Sequence, residues 1–266
     1  MIRKICLALA ATLFSTLASA VTVSTDYTDM WWNPAESGWG ANVTQQGDII
    51  FVTLFVYDTN NKPTWFIGPS TQYDGVVSGK DHFTGGFYSV TGPYFGAPVF
   101  DPKAVGVTQV GNVSLDFSNS TTGTLTYNVG GVNITKQVQR QTWRTDSVAG
   151  QYRGATIGTF TTCNGATSPS TIDNPVTLTI TQVASSITIS EIGTQNGTAY
   201  SCRYTGILTQ NGKMGTIVGT ELCDTNPTQD FTASNVQVDQ NGISMTLTTD
   251  FSTCHFAGRM GGMRQQ

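Results

Sequence analysis

Charge is scarce in this chain. Only 11% of its 266 residues are Asp, Glu, Lys or Arg, and the formal net charge is −4. A mildly acidic, lysine-poor protein is a poor match for nucleic acid or for an anionic membrane surface, and neither is expected as a partner. Histidine is scarcer still: His82 and His255 lie in different halves. No H-E-x-x-H, no G-x-S-x-G and no paired metal ligands occur, so the expectation is a protein without catalytic machinery, metal or cofactor. His255 falls opposite Cys254 and Phe256 on a strand surface, and His82 beside Phe83 in a turn. Cysteine is missing from residues 21 to 145 and tryptophan from the whole second half.

What is present divides accordingly. Trp31, Trp32, Trp39, Trp65 and Trp143 all fall before residue 145, whereas Cys163, Cys202, Cys223 and Cys254 all follow it. Two cores built by different means are expected, with a junction near Thr145 to Ala149. The domains are read as 1–20, 21–145 and 146–266. In the first of these, Arg3 and Lys4 precede an apolar stretch from Ile5 to Leu17 and then Ala18-Ser19-Ala20. That is the pattern of a secretory signal cleaved after Ala20, too short for a spanning helix. Its removal takes the formal charge from −4 to −6 because two cations leave. A periplasmic or secreted protein without a transmembrane anchor is therefore expected, and in that setting four cysteines read as two disulfides. Three pairings are possible; pairing along the chain, Cys163 with Cys202 and Cys223 with Cys254, is the one favoured.

Threonine, serine, asparagine and glutamine supply the polarity, which suits the wet faces of strands and their turns. In the first half Ile49 to Tyr57 is apolar on both faces, Ile49, Phe51, Phe55 and Tyr57 on one and Ile50, Val52, Leu54 and Val56 on the other. A strand of that kind needs something packed on each side. Val113, Leu115 and Phe117, then Leu125, Tyr127 and Val129, alternate with polar residues, and Gly130-Gly131 is a hairpin turn. In the second half Val176, Leu178 and Ile180 and then Ile243, Met245 and Leu247 alternate with threonine and serine, with hairpin signals at Asn196-Gly197, Asn211-Gly212 and Asn241-Gly242. Tyr152-Arg-Gly154, Cys202-x-Tyr204-x-Gly206 and Cys254-x-Phe256-x-Gly258 form a short repeat whose cysteine, ring and glycine share one strand face. The fold class is all-β: two small antiparallel β-barrels or compact sandwiches of about eight strands each. The second half is similar in architecture to avidin-like or lipocalin-like barrels, a likeness that carries no function.

The costliest decapeptide is Trp31 to Gly40, W-W-N-P-A-E-S-G-W-G. With the run Ile49 to Tyr57 and with K-P-T-W at Lys62 to Trp65, it resembles a module that recurs in secreted and envelope proteins of Gram-negative bacteria. The resemblance covers about residues 27 to 144 and implies a compartment and a module type, but no chemistry. From the residues themselves, Trp31, Trp32, Trp39, Tyr57 and Trp65 form an expected aromatic site with Glu36 and Arg140 as polar contacts, for a small molecule or a glycan. The plainer alternative is a barrel end closed by its own tryptophans. Arg140 or Arg144 is available to pair with Glu36, and Asp26 and Asp29 suit a solvated turn. Binding is the leading expectation. A structural or interaction module of the envelope is the first alternative, with Ile50, Val52, Leu54 and Val56 meeting a protein neighbour or the other domain. A glycosidase using Glu36 with Asp48 or Asp58 is the second.

Overall fold

The computed structural model describes residues 23 to 265 except 162, 164 to 167, 225 and 252 to 253. The expected signal segment lies outside the described residues. Two closed antiparallel barrels of eight strands follow one another along the chain. The first is built from β1 (Asp29–Trp32), β2 (Gly40–Gln46), β3 (Ile49–Tyr57), β4 (Pro63–Val77), β5 (Lys80–Thr91), β6 (Gly106–Phe117), β7 (Thr122–Val129) and β8 (Val132–Arg140). The second comprises β9 (Gly150–Thr161), β10 (Ser170–Val183), β11 (Ser186–Gln195), β12 (Thr198–Asn211), β13 (Met214–Cys223), β14 (Asn226–Val238), β15 (Gly242–Phe251) and β16 (Cys254–Arg264). Each strand pairs with its sequence neighbours, and β8 closes onto β1 as β16 closes onto β9. Among the described residues no helix is long and apolar enough to cross a membrane.

Period-two alternation decides which side chains go inside. On β3, Ile50, Val52 and Leu54 are fully buried while Ile49, Phe51, Phe55 and Tyr57 are exposed. The expectation that Ile50, Val52, Leu54 and Val56 meet a neighbour is thereby corrected: the first three fill the barrel, Val56 packs partly buried against them, and the opposite face is the one left to solvent. Two glycine-containing hairpins use backbone that other residues avoid. Gly130 and Gly131 have φ of 57° and 84°, and Asn196 and Gly197 have 51° and 82°, the type I′ signature. His82 lies within β5, not in a turn, and its Nδ1 is 2.7 Å from Asp116. His255 similarly meets Asp250 at 2.6 Å.

The first barrel is filled with rings. Tyr27 stacks on Phe117 at 3.8 Å, Trp31 tilts against Phe117 at 4.8 Å, and Phe83 meets both Tyr27 and Phe117 near edge-on. At this end sits Arg140, fully buried, its guanidinium 5.0 Å from the centre of the Trp31 ring. It donates to Asp29 Oδ2 at 3.1 Å and to the carbonyl oxygens of Thr28, Asp26 and Ser120. Asp29 also accepts the amide of Lys213 from the β12–β13 turn of the second barrel, and Lys213 Nζ reaches Asp26 at 2.6 Å. Asp26 and Asp29 are thus the pins between the barrels and not a solvated turn. Burial alone would raise the pKa of Asp26, but hydrogen bonds from Lys213 and Thr28 outweigh it and hold the carboxyl below its ordinary value. Gly212 has φ +57°, and a Cβ there would lie 2.3 Å from Asp29 Oδ2, so only glycine lets the turn approach this closely.

The second barrel is closed by two disulfides at the end away from this junction, Cys163–Cys254 and Cys202–Cys223. The pairing expected along the chain is corrected. Cys202 and Cys223 face each other across the β12–β13 ladder, and closure of β16 onto β9 brings the last cysteine to the first. Sheet adjacency, not sequence order, sets which sulfurs meet. With sequence separations of 91 and 21, loop-closure entropy gives roughly 4.5 and 3 kcal/mol respectively.

Two outcomes test this account. Proteolysis without reduction should yield linked peptides joining Cys163 to Cys254 and Cys202 to Cys223, with no cross-combination. Arg140→Ala should cost roughly 3–5 kcal/mol in urea denaturation because it removes a fully buried guanidinium from partly buried Asp29 and three carbonyls. Arg140→Lys should recover little of that loss, since an ammonium lacks the fork that spans them.

Candidate functional site

The seven residues expected to form an aromatic site are distributed over both ends and both faces of the first barrel. Trp31 and Arg140 are sealed in its interior at the junction end, with the Trp31 indole N–H donated to Tyr27 O at 2.9 Å. Trp32, next on the same strand, is half-buried, and its indole nitrogen has no hydrogen-bond partner. Trp65 and Tyr57 are exposed on the outer face, Trp65 directly beside Phe55 on the adjoining strand. Glu36 and Trp39 lie in the β1–β2 connection, which Tyr57 holds by donating to Gly38 O at 2.9 Å.

Only Glu36, Trp39 and Tyr57 are gathered at one mouth, and they are tied to one another and to Lys136. Lys136 donates to Glu36 Oε2 at 2.6 Å, the Trp39 indole N–H donates to the same oxygen at 3.0 Å, and the Lys136 ammonium lies 5.8 Å from the Trp39 ring centre. The hydrogen bond from Lys136 holds the Glu36 carboxyl below its ordinary value. Glu36 therefore pairs with Lys136, whereas Arg140 pairs with Asp29 and Arg144 with Asp146. The carboxylates considered for a glycosidase are engaged elsewhere: Glu36 holds Lys136, and Asp48 and Asp58 stand at opposite ends of β3. Asp48 stands at the far end of β3, about 30 Å from Asp58 at strand rise, and Asp58 spends its Oδ1 on the amides of Asn60 and Lys62.

A cavity lies instead inside the second barrel, at the disulfide end. It measures about 200 Å³. Its floor is the apolar half of the barrel, where Leu178, Ile189, Ile217 and Leu247 are buried, and its walls carry Phe160, Phe256, Tyr200 and Tyr204. Phe160 packs against Phe256 at 4.8 Å, and Gly158 and Gly258 make room for the Phe256 ring, since a Cβ on either would fall within 2.6 Å of it. Ile172, Phe160, Phe251 and Tyr200 are half-buried at the rim. The Cys202–Cys223 disulfide forms part of the wall.

Two carboxylates enter this cavity. Glu191 is 1% exposed and accepts from Thr156 Oγ1 at 2.9 Å, Tyr200 OH at 2.7 Å and Tyr204 OH at 2.9 Å. Glu221 is 7% exposed and accepts from Thr249 Oγ1 at 2.8 Å. Its other oxygen lies 3.1 Å from Cys223 Sγ, a disulfide sulfur with no proton to donate. Burial raises the Glu221 pKa and nearby Glu191 adds to the rise, while hydrogen bonds from Thr249 and Tyr204 oppose it without cancelling it. Burial and the adjacent Glu191 charge likewise push both tyrosine hydroxyls up, so Tyr200 and Tyr204 stay protonated donors.

The signal for both acids in the sequence is period-two parity. Glu191 follows Ile187 and Ile189 at the same parity, and Glu221 follows Ile217 and Gly219, so each acid occupies a position where the strand otherwise puts apolar groups inside. Cys202 and Tyr204 were placed inward by the C-x-aromatic-x-G repeat, and both are buried there.

Glu221 sets a pH dependence of known sign. A carboxyl whose folded pKa lies above its ordinary 4.5 contributes stability that is full below that value and lost as pH rises through the folded one. Glu221→Gln should therefore match wild type near pH 4 and be more stable by roughly 1–3 kcal/mol towards pH 8, the usual cost of a buried group short of a partner. Thermal denaturation of both proteins across that range checks it, and a constant difference would contradict the assignment. Compared with protein-family models and with curated proteins, the chain matches none.

Proposed function

We propose that the protein is an exported binding protein that holds a small molecule inside its second barrel. The observation that carries this reading is the 200 Å³ cavity, with an apolar floor, aromatic walls and a few convergent polar groups. Small barrels either fill their interior or keep room for one small ligand, and the two halves of this chain take the two courses. The first barrel is packed by Tyr27, Trp31, Phe83, Phe117 and Arg140; the second stops its apolar filling halfway. Two disulfides support an oxidising compartment, in keeping with the signal expected at residues 1–20. The volume argues against glycoside hydrolysis by Glu191 and Glu221, since a scissile bond between two carboxylates needs a sugar on each side and this cavity has room for about one ring.

A second reading, an interaction module of the envelope, draws on the outer face of the first barrel. Ile49, Phe51, Phe55, Tyr57 and Trp65 form an exposed apolar stripe on β3 and β4. Native mass spectrometry of the mature protein, purified without reductant from its own host, separates the two. A discrete added mass lost on denaturation, and missing from an Ile172→Trp variant that plugs the rim, is the expected result. A bare oligomer that Phe55→Ser dissociates would favour the interaction module instead.

A further inference from the structure

The cavity of the second barrel is acidic and has no counter-charge. None of its lining side chains is Lys, Arg or His, and among the described residues neither Glu191 nor Glu221 forms an ion pair. Elsewhere this protein matches its buried charge: Arg140 has Asp29 and three carbonyl oxygens. In the cavity the balance is left to whatever enters.

The hydrogen-bond inventory is one-sided as well. The hydroxyls of Thr156, Tyr200 and Tyr204 donate to Glu191, and Tyr204, with one proton for two carboxylates, also lies within hydrogen-bond reach of Glu221. The hydroxyl of Thr249 is given to Glu221. The buried Asn174 amide donates to Tyr200 OH, and Gln195 and Thr198 line the exposed part of the wall; among the buried groups this leaves Glu221 Oε1, on a residue more than nine-tenths buried, beside a sulfur that cannot donate. An acceptor without a donor asks for a ligand made of donors, and an ammonium group offers up to three and no acceptor. Aromatic rings around the same space favour a cation by their negative faces. A hard metal ion is a poor match, because it needs six or more oxygens and this wall supplies one free carboxylate oxygen among rings and disulfide sulfurs.

We propose that the cavity is a site for a small organic ammonium ion, its charge seated on Glu221 and its hydrocarbon body against Phe160, Phe256 and Tyr200. The inference rests on the binding function proposed above and names its ligand class. A volume of about 200 Å³ equals roughly seven waters at liquid density, which suits a body of one ring. Binding of the cation is coupled to loss of the Glu221 proton, so affinity rises with pH through the range where that carboxyl titrates. The groups facing Glu221 are Tyr204 on β12, Glu191 beyond it on β11, Thr249 on β15 and the Cys202–Cys223 bond. Both neighbouring tyrosines stay protonated there, so the change belongs to Glu221.

Calorimetric titration of the full mature protein with benzylammonium, benzyl alcohol and benzoate tests the assignment, in wild type, Glu221→Gln and Ile172→Trp. Benzylammonium should bind at least tenfold more tightly than benzyl alcohol near pH 7.5, and benzoate not at all. Glu221→Gln should erase that preference while leaving benzyl alcohol within about twofold, which shows the cavity intact. Ile172→Trp should block both. Equal or tighter binding of benzyl alcohol, binding of benzoate, or an ammonium preference that survives in either variant overturns the ammonium assignment. If the protein isolated from its host carries a neutral or anionic mass, the ligand class fails and the binding function stands. If no probe binds and no mass is carried, both fall.

Discussion

A closed antiparallel ladder sends every second side chain into a space whose cross-section is set by the number of strands. With eight strands that space can be filled by side chains or can hold a small guest, and nothing else in the fold relaxes the choice. Both barrels satisfy their backbone in the same way, strand to neighbouring strand with first and last joined. They differ in what their inward positions carry, and everything that distinguishes them chemically follows from that.

In the first barrel the inward positions are large. Tyr27, Trp31, Phe83, Phe87 and Phe117 fill the interior, and the one buried cation among the described residues there, Arg140, is held by Asp29, by the carbonyls of Asp26 and Thr28 and by that of Ser120 in the β6–β7 turn. That arrangement fixes residues 26 to 29, the same segment on which the β12–β13 turn of the second barrel docks through Lys213. One buried cation thus organises the closure of one barrel and the seat of the other.

In the second barrel the inward positions change character along the axis. Apolar residues pack the half near the junction, and Thr156, Asn174, Glu191, Tyr204, Glu221 and Thr249 occupy the half beyond it. Glycines at 158, 193 and 258 sit where rings of Phe256 and Tyr200 would collide with any Cβ. Rings are thereby laid against the wall and the centre is left open. The disulfides hold the strand ends at this same rim, where the apolar packing is only partly buried.

Much of this was legible before any coordinates. Alternation on β6, β7, β10 and β15 marked those strands and their inner faces, β3 was legible as a strand but not as to which face turns inward, and the split of tryptophan from cysteine separated the two barrels. Those are local signals, because side-chain parity and turn chemistry depend on a few adjacent residues. The residues expected to form one aromatic site around Trp31 to Gly40 are spread over the inside, the outside and one mouth of the first barrel. Sequence could not show that Glu36 finds Lys136 a hundred positions away, that Arg140 turns to Asp29, or that Cys163 meets Cys254. Partner identity is set by which strands become neighbours when the sheet closes. The sequence by itself determined the strands, their two groups and which face of each is apolar. Only the tertiary structure decided which charges and sulfurs meet, and that one interior is full while the other retains a cavity, because volume inside a barrel is a sum over eight strands and no single strand carries it.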